Sequence, residues 1–328
     1  MNPRRILFFK PGAIGDLLQL SPVVRALKGR FPEASISLVV GSRSSIDLYR
    51  FNPMVDEIIV YDKRGEHRSW GGYRTLWREL RRRRFDLVLN YQRSNLKGWG
   101  LISAALPARV LVYHKDETIH AVDDHLRPLR GVGIDPSSLD RTLFMGVDDE
   151  SRRWGGEILE PLERKGGPIV ALNPGASHQV NRWPVESWGS LAERLARSGV
   201  APILVGGPDD RHLADGIMGS VSSPLTDLVG KTTLLQLAAI LERSTLLVSG
   251  DTGPMHMATA VGTRVVAIFG AADPARTGPV GGGHRVVTST LSCVPCRSRA
   301  CRHVPCLECM TMITVDTVTE TVLEMLRD

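Results

Sequence analysis

The stretch LLVSGDTGPMHMATAVGTRVVAIFG, residues 246–270, carries the change of period that decides the architecture. One apolar run ends at a small-residue turn, and a second begins at Arg264. Between them PMHMATAVG reads as a helix, so the segment is strand, helix, strand. Asp251, Thr252 and Gly253 lie at the first strand's end, and Pro254 suits the first turn of the helix, where a missing N–H is no loss. The N–H groups of that turn, the Thr252 hydroxyl and the helix dipole make a seat for a phosphate group. Asp251 would be repelled by a phosphate directly in front of it. It either holds the turn or accepts hydrogen bonds from a sugar or ribose hydroxyl. His256 falls in the first turn, as a satisfied core histidine or as a donor to a diphosphate or to Asp251.

The same alternation extends in both directions. RILFFK, SISLVVG, EIIVYD, DLVLNY and RVLVYH read as strands in the first half, and GPIVALN, APILVGG, TLLVSG and RVVAIFG in the second. Apolar, β-branched strands separated by amphipathic segments predict parallel sheets covered on both faces. The pattern restarts at Gly167–Pro168 after a charged, polar stretch, which predicts two doubly wound α/β domains, 1–155 and 156–328, with ligands bound beyond the carboxyl ends of the strands. The closing segment VDTVTETVLEMLRD is expected to form an amphipathic helix packing back on the N-terminal domain.

Two further strand-to-helix junctions carry chemistry. In FFKPGAIGDLLQ, Gly12 and Gly15 allow a tight turn, and Asp16 opens a helix, either as its N-cap or as a working carboxylate. The turn lacks the spacing of a dinucleotide fingerprint or a phosphate-binding P-loop, so neither hydride transfer nor an NTPase activity is supported. In NPGASHQVNRWP, a small-residue loop containing Ser177 leads to Asn181, Arg182 and Trp183. A guanidinium beside such a loop suits a diphosphate, which it can meet with paired charge-assisted hydrogen bonds. Trp183 is expected to pack rather than to stack on a base.

Charge is unevenly distributed. Residues 1–150 hold 24 Lys and Arg against 18 Asp and Glu, so the whole net charge of +6 lies in the first half. That asymmetry points to an acidic partner. No stretch approaches the roughly 18 apolar residues that span a bilayer, and ILFF is too short for a signal peptide, so a cytoplasmic address is expected. The basic half has no aromatic-interleaved basic motif, which argues against nucleic acid. All 5 cysteines fall between residues 293 and 309. Cys293, Cys296, Cys306 and Cys309 form two C-x₂-C pairs that could bind zinc or an iron–sulfur cluster, with Cys301 spare; reduced thiols and a disulfide are the alternatives.

Taken together, IGDLLQLSPVVRALKGRFP, NPGASHQVNRWPVESWGSLAERLA, DLVGKTTLLQLAAILERS, SGDTGPMHMATAVGTRVVAIFGAADPARTGP and CVPCRSRACRHVPCLECMTMI resemble the heptosyltransferases of glycosyltransferase family 9. The resemblance runs over nearly the whole chain and is weakest between about residues 42 and 150. It implies the GT-B architecture, two facing Rossmann-like domains with an interdomain cleft. It implies an inverting, metal-independent transfer of a heptose from ADP-heptose to the inner core of a lipopolysaccharide, with no cofactor. Asp16 matches the catalytic aspartate, with Gly12 and Gly15 in the acceptor-side loop. Asp251, Thr252, Gly253 and His256 match the donor-binding block, with Ser177, Asn181 and Arg182 as further donor-side residues. Asn181 stands where many members have a lysine, so Arg182 would neutralise the departing diphosphate. The acceptor would be an acidic lipid-linked oligosaccharide, the enzyme peripheral on the cytoplasmic surface of the inner membrane, and nucleic acid no partner. The competing readings are another nucleotide-sugar transferase or epimerase of the same architecture and, remotely, a basic binding protein.

Overall fold

The computed structural model describes residues 2–92 and 96–328, which divide into two compact units, Met1–Gly146 and Val147–Asp328. In the first unit the chain order is β1 (Arg5–Phe9), α1 (Ile14–Leu18), α2 (Ser21–Arg30), β2 (Ser35–Val40), β3 (Glu57–Val60), α3 (Trp70–Arg83), β4 (Leu87–Asn90), α4 (Leu96–Ala104), β5 (Arg109–Val112) and α5 (Ala121–Leu126). The sheet is wholly parallel in the order β3-β2-β1-β4-β5. All five strands coincide with the apolar runs of the sequence. β1 and β2 are buried along almost their full length, because helices cover both faces of a parallel sheet. One face packs Leu7, Phe9, Val39 and Val88 against Leu76, Leu80 and Leu101 from the covering helices.

The second unit runs α6 (Asp149–Glu163), β6 (Ile169–Asn173), α7 (Val185–Arg197), β7 (Ala201–Leu204), α8 (Arg211–Ser220), β8 (Thr226–Asp227), α9 (Leu234–Arg243), β9 (Leu246–Ser249), α10 (Gly253–Ala260), β10 (Arg264–Phe269), α11 (Pro274–Thr277), β11 (Arg285–Thr288), α12 (Glu308–Thr311) and α13 (Val315–Arg327). Its sheet, also parallel, has the order β11-β10-β9-β6-β7-β8. The two edge strands escaped the sequence pattern. β8 is two residues long and β11 is mostly exposed, so neither shows a buried run.

Two details lie outside what the apolar runs conveyed. The division comes at Gly146/Val147, and the expected 155/156 boundary falls inside α6. The charged, polar composition that suggested a linker is the outer face of a helix. Asp148 caps it by accepting from the Ser151 N–H at 2.6 Å, and α6 packs on α9, held by Arg152–Glu242 and Arg243–Glu163 ion pairs, each at 2.8 Å. The closing helix α13 is a core element of the second unit. Val318, Val322 and Met325 pack into the same cluster as Trp188 and Leu191 of α7, and Asp316 pairs with Arg194.

The α6–α9 contact is close enough to test. A Cβ on Gly155 would lie 3.3 Å from the Ala239 Cβ, whereas one on Gly156 meets only Arg243 Nη1 at 3.8 Å. Gly155→Leu should lower stability in urea unfolding by about 1–3 kcal/mol through overpacking. Gly156→Ala should be neutral or stabilising by up to about 1 kcal/mol, since alanine favours a helix interior.

Candidate active site

In the first unit, β1 delivers Lys10 and the chain turns through Pro11 and Gly12 into α1. The turn is tight: the Gly12 N–H bonds the Lys10 carbonyl at 2.8 Å, and a Cβ on Gly12 would lie 3.0 Å from Lys10 Cε. Gly15 is helical, within α1. Asp16 is not a cap. Ala13 occupies the N-cap position, and the Asp16 carboxylate stands in the first turn, its side chain half exposed, with Lys10 Nζ 3.7 Å from Oδ1. The Lys10 side chain is only 11% exposed and its ammonium lies 5.8 Å from the centre of the Tyr113 ring. A buried cation beside a carboxylate that reaches water leaves Asp16 accessible and held from behind.

Lys10 was not singled out from the sequence, although a lysine directly after the first strand was its signal. Nor was the polar group next to it. Tyr113 donates to the buried Asp124 carboxylate at 2.5 Å, and Asp124 also accepts from the Asp116 N–H at 2.9 Å. His125 is packed between Tyr91 and Tyr113, with ring centres 5.5 and 5.2 Å away. Burial, aided by the Lys10 charge, pushes its pKa well below the ordinary histidine value, so it is held neutral.

In the second unit, β9 pairs with β6 and β10, so the loops after all three strands share one edge of the sheet. Thr252 takes the N-cap of α10, accepting from the Met255 N–H at 3.5 Å and bonding Ser249 Oγ at 2.9 Å. Gly253 and Pro254 form the first helical positions. Asp251 accepts from the Thr277 hydroxyl at 3.0 Å, which joins it to α11. His256 is buried, at 4% exposure. Asn181 ties two loops together, its Oδ1 accepting from the Ala272 N–H at 3.2 Å. Arg182 donates through Nε and Nη2 to the Ala176 carbonyl, both at 3.3 Å, so its guanidinium closes the loop that carries the exposed Ser177. Trp183 packs as expected: it is 3% exposed, lies edge-on to Trp188 with centres 5.3 Å apart, and donates to the Ile313 carbonyl at 2.8 Å.

The profile of glycosyltransferase family 9 (heptosyltransferase) matches residues 143–306. Lipooligosaccharide heptosyltransferase 2 of Haemophilus influenzae is 32% identical, over 84% of this chain and 86% of that one. The chain belongs to glycosyltransferase family 9. It is therefore a glycosyltransferase. Among solved structures it is similar to a family 9 glycosyltransferase from Veillonella parvula, with a TM-score of 0.87 and 24% identity over 98% of this chain and 97% of that one. It is also similar to E. coli ADP-heptose lipopolysaccharide heptosyltransferase II, with a TM-score of 0.81 and 21% identity over 98% of each. The GT-B fold class expected from the sequence holds for this family 9 enzyme.

The cysteines of the glycosyltransferase are all free, with Cys309 buried and Cys293, Cys296 and Cys306 exposed. Among the described residues no three His, Cys, Asp or Glu side chains are gathered as a cation site. Four of the five line a cavity of about 370 Å³ together with Val180 and Ala271, next to the Asn181 tie. The Leu307 N–H, 3.3 Å from Cys301 Sγ, helps to hold that thiol below its ordinary pKa, and burial pushes Cys309 up.

Trp183→Ala should cost about 3–5 kcal/mol of stability, and Trp183→Phe about 1–3 kcal/mol by orphaning the Ile313 carbonyl. His125 binds its proton more readily unfolded than folded. Below a pH of about 6.5 stability should therefore fall as acid is added, by up to about 1.4 kcal/mol per pH unit from this group. His125→Gln should flatten that part of the curve of unfolding free energy against pH; an unchanged slope would show that His125 takes up its proton in the folded state.

Proposed function

We propose that this glycosyltransferase moves a heptose from ADP-heptose to the inner core of a lipopolysaccharide precursor, with inversion at the anomeric carbon and without a metal ion. The observation that carries the reading is the Thr252-capped start of α10, an anion seat set beside the Asn181–Arg182 loop in a chain of family 9. The similar E. coli enzyme acts with ADP-heptose on lipopolysaccharide, which supports the same donor and acceptor class here.

In the proposed step, the acceptor hydroxyl oxygen attacks the anomeric carbon as its bond to the ADP oxygen breaks. The hydroxyl proton passes to Asp16, and ADP departs with the electron pair. Lys10, 3.7 Å from Asp16, positions the carboxylate. As the sugar gains oxocarbenium character, negative charge grows on the diphosphate, where the α10 amides near Thr252 and Gly253 and the Arg182 guanidinium stabilise it. Arg182 reorients from the Ala176 carbonyl to do so. Ser177 and His256 complete the donor side, and Asp251 keeps the α10 and α11 turns together through Thr277.

The acceptor is lipid-linked and acidic, which fits the net positive first half. With a lipid-linked acceptor, the enzyme would work as a peripheral protein on the cytoplasmic surface of the inner membrane; among the described residues no helix is long and apolar enough to cross a membrane. A second reading, transfer from another nucleotide sugar, rests on Asn181 in the place of the usual lysine. Comparing thermal shifts with ADP-, GDP- and UDP-sugars separates the two.

Asp16→Ala should lower kcat by about 10²–10⁴-fold while the Kd for ADP-heptose stays within a factor of about two, with product followed by mass on truncated core lipids. Normal turnover by the variant would remove the base from the mechanism, and loss of turnover on adding EDTA would remove the metal-independent account.

A further inference from the structure

The first unit exposes an apolar group that its own core does not use. Trp70, the first residue of α3, is 84% exposed, and Leu96, the first residue of α4, is 93% exposed. Trp99, nearly one turn further along α4, is 38% exposed. Trp70 and Leu96 line a cavity of about 390 Å³ with Tyr73, Arg68, Ser69 and Lys97. The group is held in place: Trp70 lies edge-on to Tyr73 with centres 5.7 Å apart, and the Tyr73 hydroxyl donates to the Lys97 carbonyl at 2.9 Å. Ser69 caps α3 by accepting from the Gly72 N–H at 3.1 Å. Both helices follow parallel strands, β3 and β4, so their starts stand at the same sheet edge as the turn that carries Asp16.

Arg68 and Lys97 line the same cavity, and Arg74 follows one turn after Trp70 on α3. Arg68, Arg74 and Lys97 are exposed, and among the described residues none of the three has a carboxylate within ion-pair distance. Exposed indoles with a neighbouring aliphatic side chain and nearby cations match the interface of an anionic bilayer. Indole settles at headgroup level, leucine enters the acyl boundary, and Lys and Arg meet lipid phosphates. A sugar would find no hydrogen-bonding group at Leu96. A second copy docked by a twofold would set the same cations against one another.

We propose that the starts of α3 and α4 dock this enzyme on an anionic membrane surface, with Trp70, Leu96 and Trp99 entering the interface and Arg68, Arg74 and Lys97 binding headgroup phosphates. The choice of a membrane rests on the reading of the acceptor as lipid-linked.

The test uses the full chain and vesicles of phosphatidylethanolamine with phosphatidylglycerol, against phosphatidylcholine alone. Binding to the anionic vesicles should exceed binding to phosphatidylcholine and weaken with salt. Trp70→Ser with Leu96→Ser should weaken it at least tenfold, and Arg68→Gln with Lys97→Gln should weaken it and reduce the salt dependence. Brominated lipids should quench tryptophan fluorescence less in Trp70→Phe. Melting temperatures and transfer to a water-soluble, deacylated acceptor should be unchanged in all these variants. Vesicle binding by the Trp70/Leu96 variant equal to that of the unaltered protein overturns the proposal, as does a dimer of the unaltered protein that this variant alone dissociates. If the unaltered protein binds vesicles through this surface but transfers nothing to the soluble acceptor, the docking surface stands and the transfer reading fails.

Discussion

Parallel pairing of β9 with β6 on one side and β10 on the other brings the carboxyl ends of three strands to one edge of the second sheet, with Ser249 opposite both Asn173 and Ala267. Hydrogen bonding holds neighbouring strands about 4.8 Å apart, so the three loops that follow have no room to remain independent. Asn181 reaches from the β6 loop to Ala272 after β10, and Asp251 after β9 reaches Thr277 on α11. This edge of the second unit is thus braced, its most distinctive side chains holding neighbouring loops together. The N–H groups at the start of α10 are oriented by the helix itself.

The first unit uses its charges differently. Lys10 is nearly buried and would be costly there without a counter-charge, and Asp16, half in water, supplies one. The same ammonium keeps company with Tyr113 and helps to hold His125 neutral. The Asp16 carboxylate is thus anchored from the protein side and open to water on the other. The turn that permits it depends on Gly12, since a side chain at that position would press on Lys10.

Much of this was legible in the chain. Every buried strand showed as an apolar run, because a strand covered on both faces has no polar alternation to hide it. β8 and β11 did not, being short or exposed edges that owe their pairing to a neighbour already in place. The stretch around residue 155 read as a linker because α6 presents charges to water, and only its packing on α9 shows which unit owns it. Asp16, Thr252 and Asp251 could be picked out by their place after strands, but whether each capped, braced or faced solvent could not.

The order of apolar runs, turns and capping residues by itself determined two parallel α/β units and the junctions where chemistry would gather, since burial and backbone hydrogen bonding act through local sequence pattern; the GT-B class came with the family resemblance. Tertiary structure alone decided what those junctions do. It placed Lys10 behind Asp16, turned Asp251 onto Thr277, and gave Asn181 to a backbone amide 91 residues away. Such contacts join residues that are distant along the chain, and they exist only once the sheet has set the strand ends side by side.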